Sequence, residues 1–200
     1  MGAMTDSRTR LLDALARIDA VNADDPALEL VDGKPEPKEL VYGRRMSAVL
    51  DRLVPDASEP LRLAVRAQHV GRFRVPRGRY PEGKVGYLEW RRDQGRMHAE
   101  IAGSILREVG YDEATIDRVQ FLLQKKALRT DAETQTLEDC ACLVFLEHHF
   151  LEFAASQPEE KVIDIVRKTW GKMSERGHAA ALALPLGDDA KRLVGKALAP

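Results

Sequence analysis

Aromatic residues make up only 6% of the 200-residue chain, so its core is expected to be built mainly from Leu, Val, Ile and Ala. Cysteine is scarcer still. Cys140 and Cys142 are the two present; two apart in a helical pattern, they point in different directions, which disfavours a bridge between them. No CxxC spacing occurs, and this usage fits a reducing compartment. No apolar run approaches the roughly 18 residues of a membrane-spanning helix, and the first residues lack the long apolar stretch of a secretory signal. The expected setting is therefore the cytoplasm, with no membrane partner. A large net charge is missing too: the formal value is −1, which gives no global attraction to nucleic acid or lipid. There is no internal repeat, no low-complexity tract and no alternating strand-like run.

What the chain does have is enough apolar content, 44%, alongside 32% charged residues, to build the core of one domain. Its charge is unevenly spread. From Arg62 to Arg96 there are ten basic residues against Glu82, Glu89 and Asp93. An anionic ligand responds to such a patch more than to the total. The competing reading is a solvated face neutralised by the acidic N-terminal third, through Asp24, Asp25, Glu29, Asp32, Glu36 and Glu39.

Helical periodicity runs through most of the sequence. Leu11, Leu12, Leu15, Ile18 and Val21 mark a helix over residues 6–21, and Met46, Val49, Leu50 and Leu53 mark another over 40–53. Between them, residues 22–40 read as an irregular acidic loop. Ser58, Glu59 and Pro60 give a cap followed by a first-turn proline, with a helix expected to about Phe73. Residues 74–86 hold Pro76, Gly78, Pro81, Gly83 and Gly86, a basic loop that no regular helix can cross and that has the composition of a shaped lid. A helix or a pair of helices is expected from Tyr87 to Val109, with Gly110 as C-cap, and a next one, with Asp112 as a candidate cap, to about Leu128. After a turn at Thr130–Asp131, residues 137–153 are apolar nearly all round, as in a central helix. A last amphipathic helix covers 159–173. The expected fold is all-α, a single-domain helical bundle over residues 6–183 with a partly ordered tail at 184–200; Gly71 to Val75 is a strand candidate too short to defend.

Three polar residues break the apolar pattern. At about 100° per residue, His98 falls at the centre of the stripe made by Ile101, Ala102, Ile105, Leu106 and Val109, whereas Glu100 falls almost opposite. Asp139 shares its face with Cys142, Leu143, Leu146 and Phe150. A carboxylate there needs a metal, a cation or strong hydrogen bonds, or else bonds to backbone amides near a helix start. His69 shares its face with Val65 and Phe73 and with Arg62, Arg66 and Arg72, an environment suited to an anionic substrate. Two histidines and an aspartate on three helices have the donor types for Zn, Mn or ferrous Fe.

The stretches RAQHVGRFRVPRGRYPEGKVGYLEWRRDQGRMHAEIAGSIL (66–106), VQFLLQKKALRTDAETQTLEDCACLVFLEHHF (119–150) and KVIDIVRKTWGKMS (161–174) resemble a domain-of-unknown-function family of bacteria and eukaryotes, over about residues 6–183. Some of its members carry a glutamyl-tRNA synthetase label. The chain has no HIGH-like or KMSKS-like motif, since Lys172, Met173 and Ser174 are followed by Glu175. It also resembles, more weakly, the histidine–aspartate phosphohydrolase superfamily, helical enzymes that hold one or two metals. That likeness implies that His69 stands for the first histidine, His98 for a further one, and Asp139, in the segment Gln135 to Asp139, for the distant aspartate. The adjacent His-Asp pair of those enzymes is absent. Arg92-Asp93 is nearest to it, and Lys125 or Lys126 stands where another histidine often comes.

The expectation that follows is a metal-assisted phosphohydrolase for a nucleotide-like or small phosphorylated substrate. His69, His98 and Asp139 would hold a divalent Mn, Fe or Zn ion, and Asp93, Arg92 and Lys125 would serve the chemistry. Arg66, Arg72, Arg77, Arg91 and Lys126 would bind the substrate. The alternative is a non-catalytic module that binds RNA or another phosphate-bearing partner.

Overall fold

Each capping signal in the sequence starts or ends a helix in the structure, a computed structural model that describes residues 2–199, with side chains described for 7–199. Contacts divide the chain into two compact units, Met1–Ala127 and Leu128–Pro200. The first holds α1 (Gly2–Ala23), β1 (Leu28–Val31), β2 (Lys34–Pro37), α2 (Lys38–Leu53), α3 (Glu59–Arg66), α4 (Gly83–Val109) and α5 (Glu113–Leu123). The second holds α6 (Ala132–Val144), a π-helical turn (Phe145–His149), α7 (Phe150–Ala155), α8 (Glu159–Trp170), α9 (Glu175–Leu182) and α10 (Asp188–Leu198). Among the described residues the fold is all-α apart from one small hairpin. Among the described residues no helix is long and apolar enough to cross a membrane.

In the first unit Ser58 caps α3 by accepting from the Leu61 amide, and Asp112 caps α5 by accepting from the Thr115 amide. Gly110 ends α4 in the left-handed region at φ 89°. The buried faces of these helices join around Ile18, Met46, Leu50, Leu63, Leu106 and Leu122. The stretch 28–37 is not the loop expected from its composition. Asp32 and Gly33 both take positive φ, 49° and 77°, and so make the turn type that favours a two-residue hairpin. β1 and β2 pair antiparallel around it, with Glu29 opposite Glu36. Arg45 and Arg44 offset these like charges by pairing with Glu29 and Glu36 respectively.

The helix expected up to Phe73 stops at Arg66. Residues 72–74, part of the strand candidate, are a 3-10 turn entered through Gly71 at φ 67°. The Gly71 amide donates to Asn22 Oδ1 at 3.0 Å, and a Cβ at Gly71 would lie 2.8 Å from Ile101 Cδ1. The φ favours glycine, and a Cβ would in addition push the end of the Ile101 side chain aside. Gly71→Ala is expected to cost about 2 kcal/mol in urea unfolding; an unchanged midpoint would count against this account.

In the second unit Asp131 caps α6 by accepting from the Thr134 amide. The apolar run packs Leu137, Leu143, Val144, Leu146 and Phe150 inward, and a single π turn interrupts its helix. Residues 184–200, expected as a tail, contain α10. Its Ala190, Leu193 and Ala197 are buried, and Arg167 of α8 donates to the Ala197 carbonyl at 2.9 Å.

Candidate functional site

Among the described residues, the first unit brings together two of the three side chains singled out by the pattern. His69 follows α3 and His98 lies on α4, with ring centroids 6.0 Å apart. His69 is half-buried, stacked on Tyr42 of α2 with centroids 3.9 Å apart. His69 Nδ1 lies 3.0 Å from Glu39 Oε2, and its Nε2 lies 3.3 Å from Arg72 Nη1. A guanidinium can only donate. The Nε2 therefore carries the lone pair, and Nδ1 carries the proton given to Glu39.

His98 is 3% exposed, as its place on the apolar stripe requires. Its Nδ1 lies 2.8 Å from the Val70 carbonyl oxygen, which can only accept, so the proton is again on Nδ1. His98 Nε2 is buried with no hydrogen-bond partner. Burial lowers the His98 pKa to about 3, helped by the nearby His69 and Arg72. At neutral pH the ring is uncharged and offers a lone pair. Both histidines thus turn Nδ1 toward an oxygen, the tautomer found where imidazole binds a metal; His98 Nε2 has no hydrogen-bond partner, whereas His69 Nε2 is held by Arg72.

Arg72 sits over the Trp90 ring at 4.4 Å, with its Nε 3.6 Å from Glu39 Oε1. Trp90 Nε1 donates to the Val75 carbonyl at 2.9 Å. Gln94, one turn further along α4, donates through Nε2 to the carbonyls of Arg72 and Val75. Segment 70–75 is thereby pinned to α4 at three successive turns, by Trp90, Gln94 and His98. The basic loop beyond it is also held. Arg77 donates to the carbonyls of Tyr80, Pro81 and Gly83, and Tyr80 donates its hydroxyl to Asp93 at 3.0 Å.

Asp139 belongs to the second unit. It is 2% exposed and accepts from the Ser174 amide at 2.8 Å, the Ser174 hydroxyl at 2.5 Å and Gln135 Nε2 at 3.1 Å. Its carboxylate ties α6 to the N-terminus of α9. Among the described residues no three His, Cys, Asp or Glu side chains are grouped as a metal would need.

The other expected residues separate by what they touch. Arg66 is engaged by both oxygens of Asp19, at 2.6 Å each, and by Ser47 Oγ, so its fork is used within the fold, as is that of Arg77. Asp93 holds Tyr80 and pairs with Arg92 at 3.4 Å and Arg96 at 3.7 Å. Arg91 is exposed, 5.8 Å from the centroid of the Tyr87 ring. Lys125 and Lys126 lie in the turn after α5, where Lys125 adopts φ 52°. Of the expected basic residues, Arg72 is in contact with His69. Tyr42 and Gln94 were not singled out by the sequence, and Glu39 figures there only among the acidic residues set against the basic run. Gln94 could have been, because it lies four residues before His98 and shares its face.

The family model described as Domain of unknown function (DUF4202) matches residues 12–194. The chain belongs to this family. The match spans both units, so the histidine pair of the first and the buried aspartate of the second both lie inside the DUF4202 region. No curated protein and no solved structure is similar to the chain.

Proposed function

We propose that the protein is a phosphohydrolase for a small phosphorylated substrate, assisted by a divalent metal ion at His69 and His98. The observation that carries this is the shared tautomer of the two rings. Each gives its Nδ1 proton to an oxygen, Glu39 Oε2 or the Val70 carbonyl, and His98 Nε2 is a buried lone pair without a partner. A buried acceptor of this kind fits a cation. Imidazole donors suit Zn, Mn or ferrous Fe, and such an ion when bound supplies Lewis acidity and an acidified water.

The chain's own groups do the rest. Glu39 and the Val70 carbonyl orient the rings, and the low pKa of His98 keeps protons from competing for Nε2. Arg72, held between Trp90 and Glu39, is the cation placed to take phosphoryl oxygens, and it must release His69 Nε2 to do so. In hydrolysis a water oxygen bonds to phosphorus, the ester P–O bond breaks, and the leaving alcohol takes the proton that the water gives up.

The test uses protein purified without a histidine tag, reconstituted with Mn, Fe or Zn, and a panel of sugar, nucleoside and simple organic phosphates. Metal-dependent phosphate release is expected, with Arg72→Ala lowering kcat/KM by about 30-fold, the size of a lost charge-assisted contact. Retention of less than about 0.1 equivalent of any of these metals, for a site meant to bind tightly, would end the reading. Binding of a phosphorylated ligand without turnover in any metal state would make the site a recognition module instead.

A further inference from the structure

Gln94 is 3% exposed and lies one turn before His98 on the same face of α4. Its Nε2 donates to the carbonyl oxygens of Arg72 at 3.2 Å and Val75 at 2.6 Å. Carbonyl oxygens only accept, so these two bonds decide which end of the amide faces segment 72–75. The amide oxygen is left over, buried and without a partner. His98 repeats the arrangement one turn later, with Nδ1 on the Val70 carbonyl and Nε2 unpartnered. α4 therefore carries two buried acceptor atoms at i and i+4, each left over by a carbonyl of the same short segment. Among the described residues neither atom has a hydrogen-bond partner, and buried acceptors left so are costly. Residues four apart on a helix are a common way to give two ligands to one ion.

We propose that Gln94 Oε1 is a metal ligand alongside Nε2 of His98 and Nε2 of His69. The ion would then be held by one amide oxygen and two imidazole nitrogens of the first unit, without Asp139. This rests on the metal-binding half of the function proposed above. The amide oxygen of Gln94 and the imidazole of His98 add no negative charge to the site, so they do not offset the ion's charge toward an anionic ligand. The mixed nitrogen and oxygen set suits Zn, Mn or ferrous Fe better than Ca, which takes oxygen ligands.

The experiment is calorimetric titration of the untagged, chelator-treated full chain with Zn2+ and with Co2+, for the wild type, Gln94→Leu and Gln94→Glu, with circular dichroism of each. Gln94→Leu removes the oxygen and is expected to weaken binding at least about tenfold. Gln94→Glu keeps an oxygen donor and adds charge, and is expected to bind at least as tightly as the wild type. Zn-loaded wild-type crystals, which need no variant to fold, should show an anomalous peak at bonding distance from Gln94 Oε1. A folded Gln94→Leu that binds like the wild type, a folded Gln94→Glu that binds no better than Gln94→Leu, or crystals with only a water bridging Gln94 Oε1 and His98 Nε2, would each overturn the inference and leave a two-histidine site standing. No binding of either ion by the wild type would take down the function proposal as well.

Discussion

Replacing His98 with leucine is expected to abolish metal binding and to lower phosphate release at least about a hundredfold, since a donor atom is lost outright. The same variant should change how the metal-free protein responds to acid. Burial lowers the His98 pKa to about 3 in the folded chain, against about 6.5 in an unfolded one. Between those values the unfolded state binds a proton that the folded state refuses. The contribution of His98 to stability is therefore complete above about pH 6.5 and is lost as pH falls through the window down to about 3. At about 1.4 kcal/mol per pH unit, the loss between pH 6.5 and 4.5 is about 3 kcal/mol. Carboxylates titrate in the lower part of this window in both proteins, so the difference between wild type and His98→Leu isolates the histidine. Urea unfolding with a chelator present, at pH 7 and at pH 4.5, measures it. Parallel losses of stability in the two proteins would show that His98 is not held neutral by burial.

The second large effect belongs to the second unit. Asp139→Ala removes the acceptor for the Ser174 amide, the Ser174 hydroxyl and Gln135. A Cβ on Gly177 would fall 2.7 Å from Asp139 Oδ1, so α9 approaches the carboxylate as closely as a glycine allows. Three donors lose a buried partner at once, and a cost of about 3 kcal/mol in urea unfolding is expected. Asp139→Asn keeps an acceptor oxygen and should lose about half as much. The measurement also separates the two roles open to this residue. If Asp139→Ala keeps the stability of the wild type but loses metal or phosphate release, Asp139 serves the chemistry and the α6–α9 tie is unimportant.

Much of this was legible from periodicity. The 100° step that turned His98 and Asp139 inward and Glu100 outward holds in the structure, where the first two are buried and Glu100 is exposed. Ser58, Gly110, Asp112 and Asp131 act at the helix ends where their residue types placed them. The hairpin was legible in principle, through Asp32 and Gly33, but two four-residue strands carry little periodic signal beside so much charge. Apolar spacing continues past Arg66 to Phe73, yet the helix ends at Arg66; Gly71 lies in the left-handed region with its amide on Asn22 Oδ1, a partner distant in sequence.

Roles were harder to read than faces. Arg66, Arg72 and Arg77 look alike as members of one basic run. One is matched to Asp19, one stacks on Trp90 beside His69, and one ties up the carbonyls of its own loop. The sequence by itself determined that the chain is helical, which faces are buried, and that a histidine and an aspartate sit among apolar neighbours, because these follow from spacing along one helix at a time. Only the tertiary structure decided that His69 meets His98 and Glu39, that Asp139 is claimed by Ser174, and that Gln94 and His98 are left with unused acceptor atoms. Those outcomes depend on which carbonyl, carboxylate or guanidinium arrives from another part of the chain, and hydrogen-bond partners 28 to 35 residues away leave no mark on local periodicity.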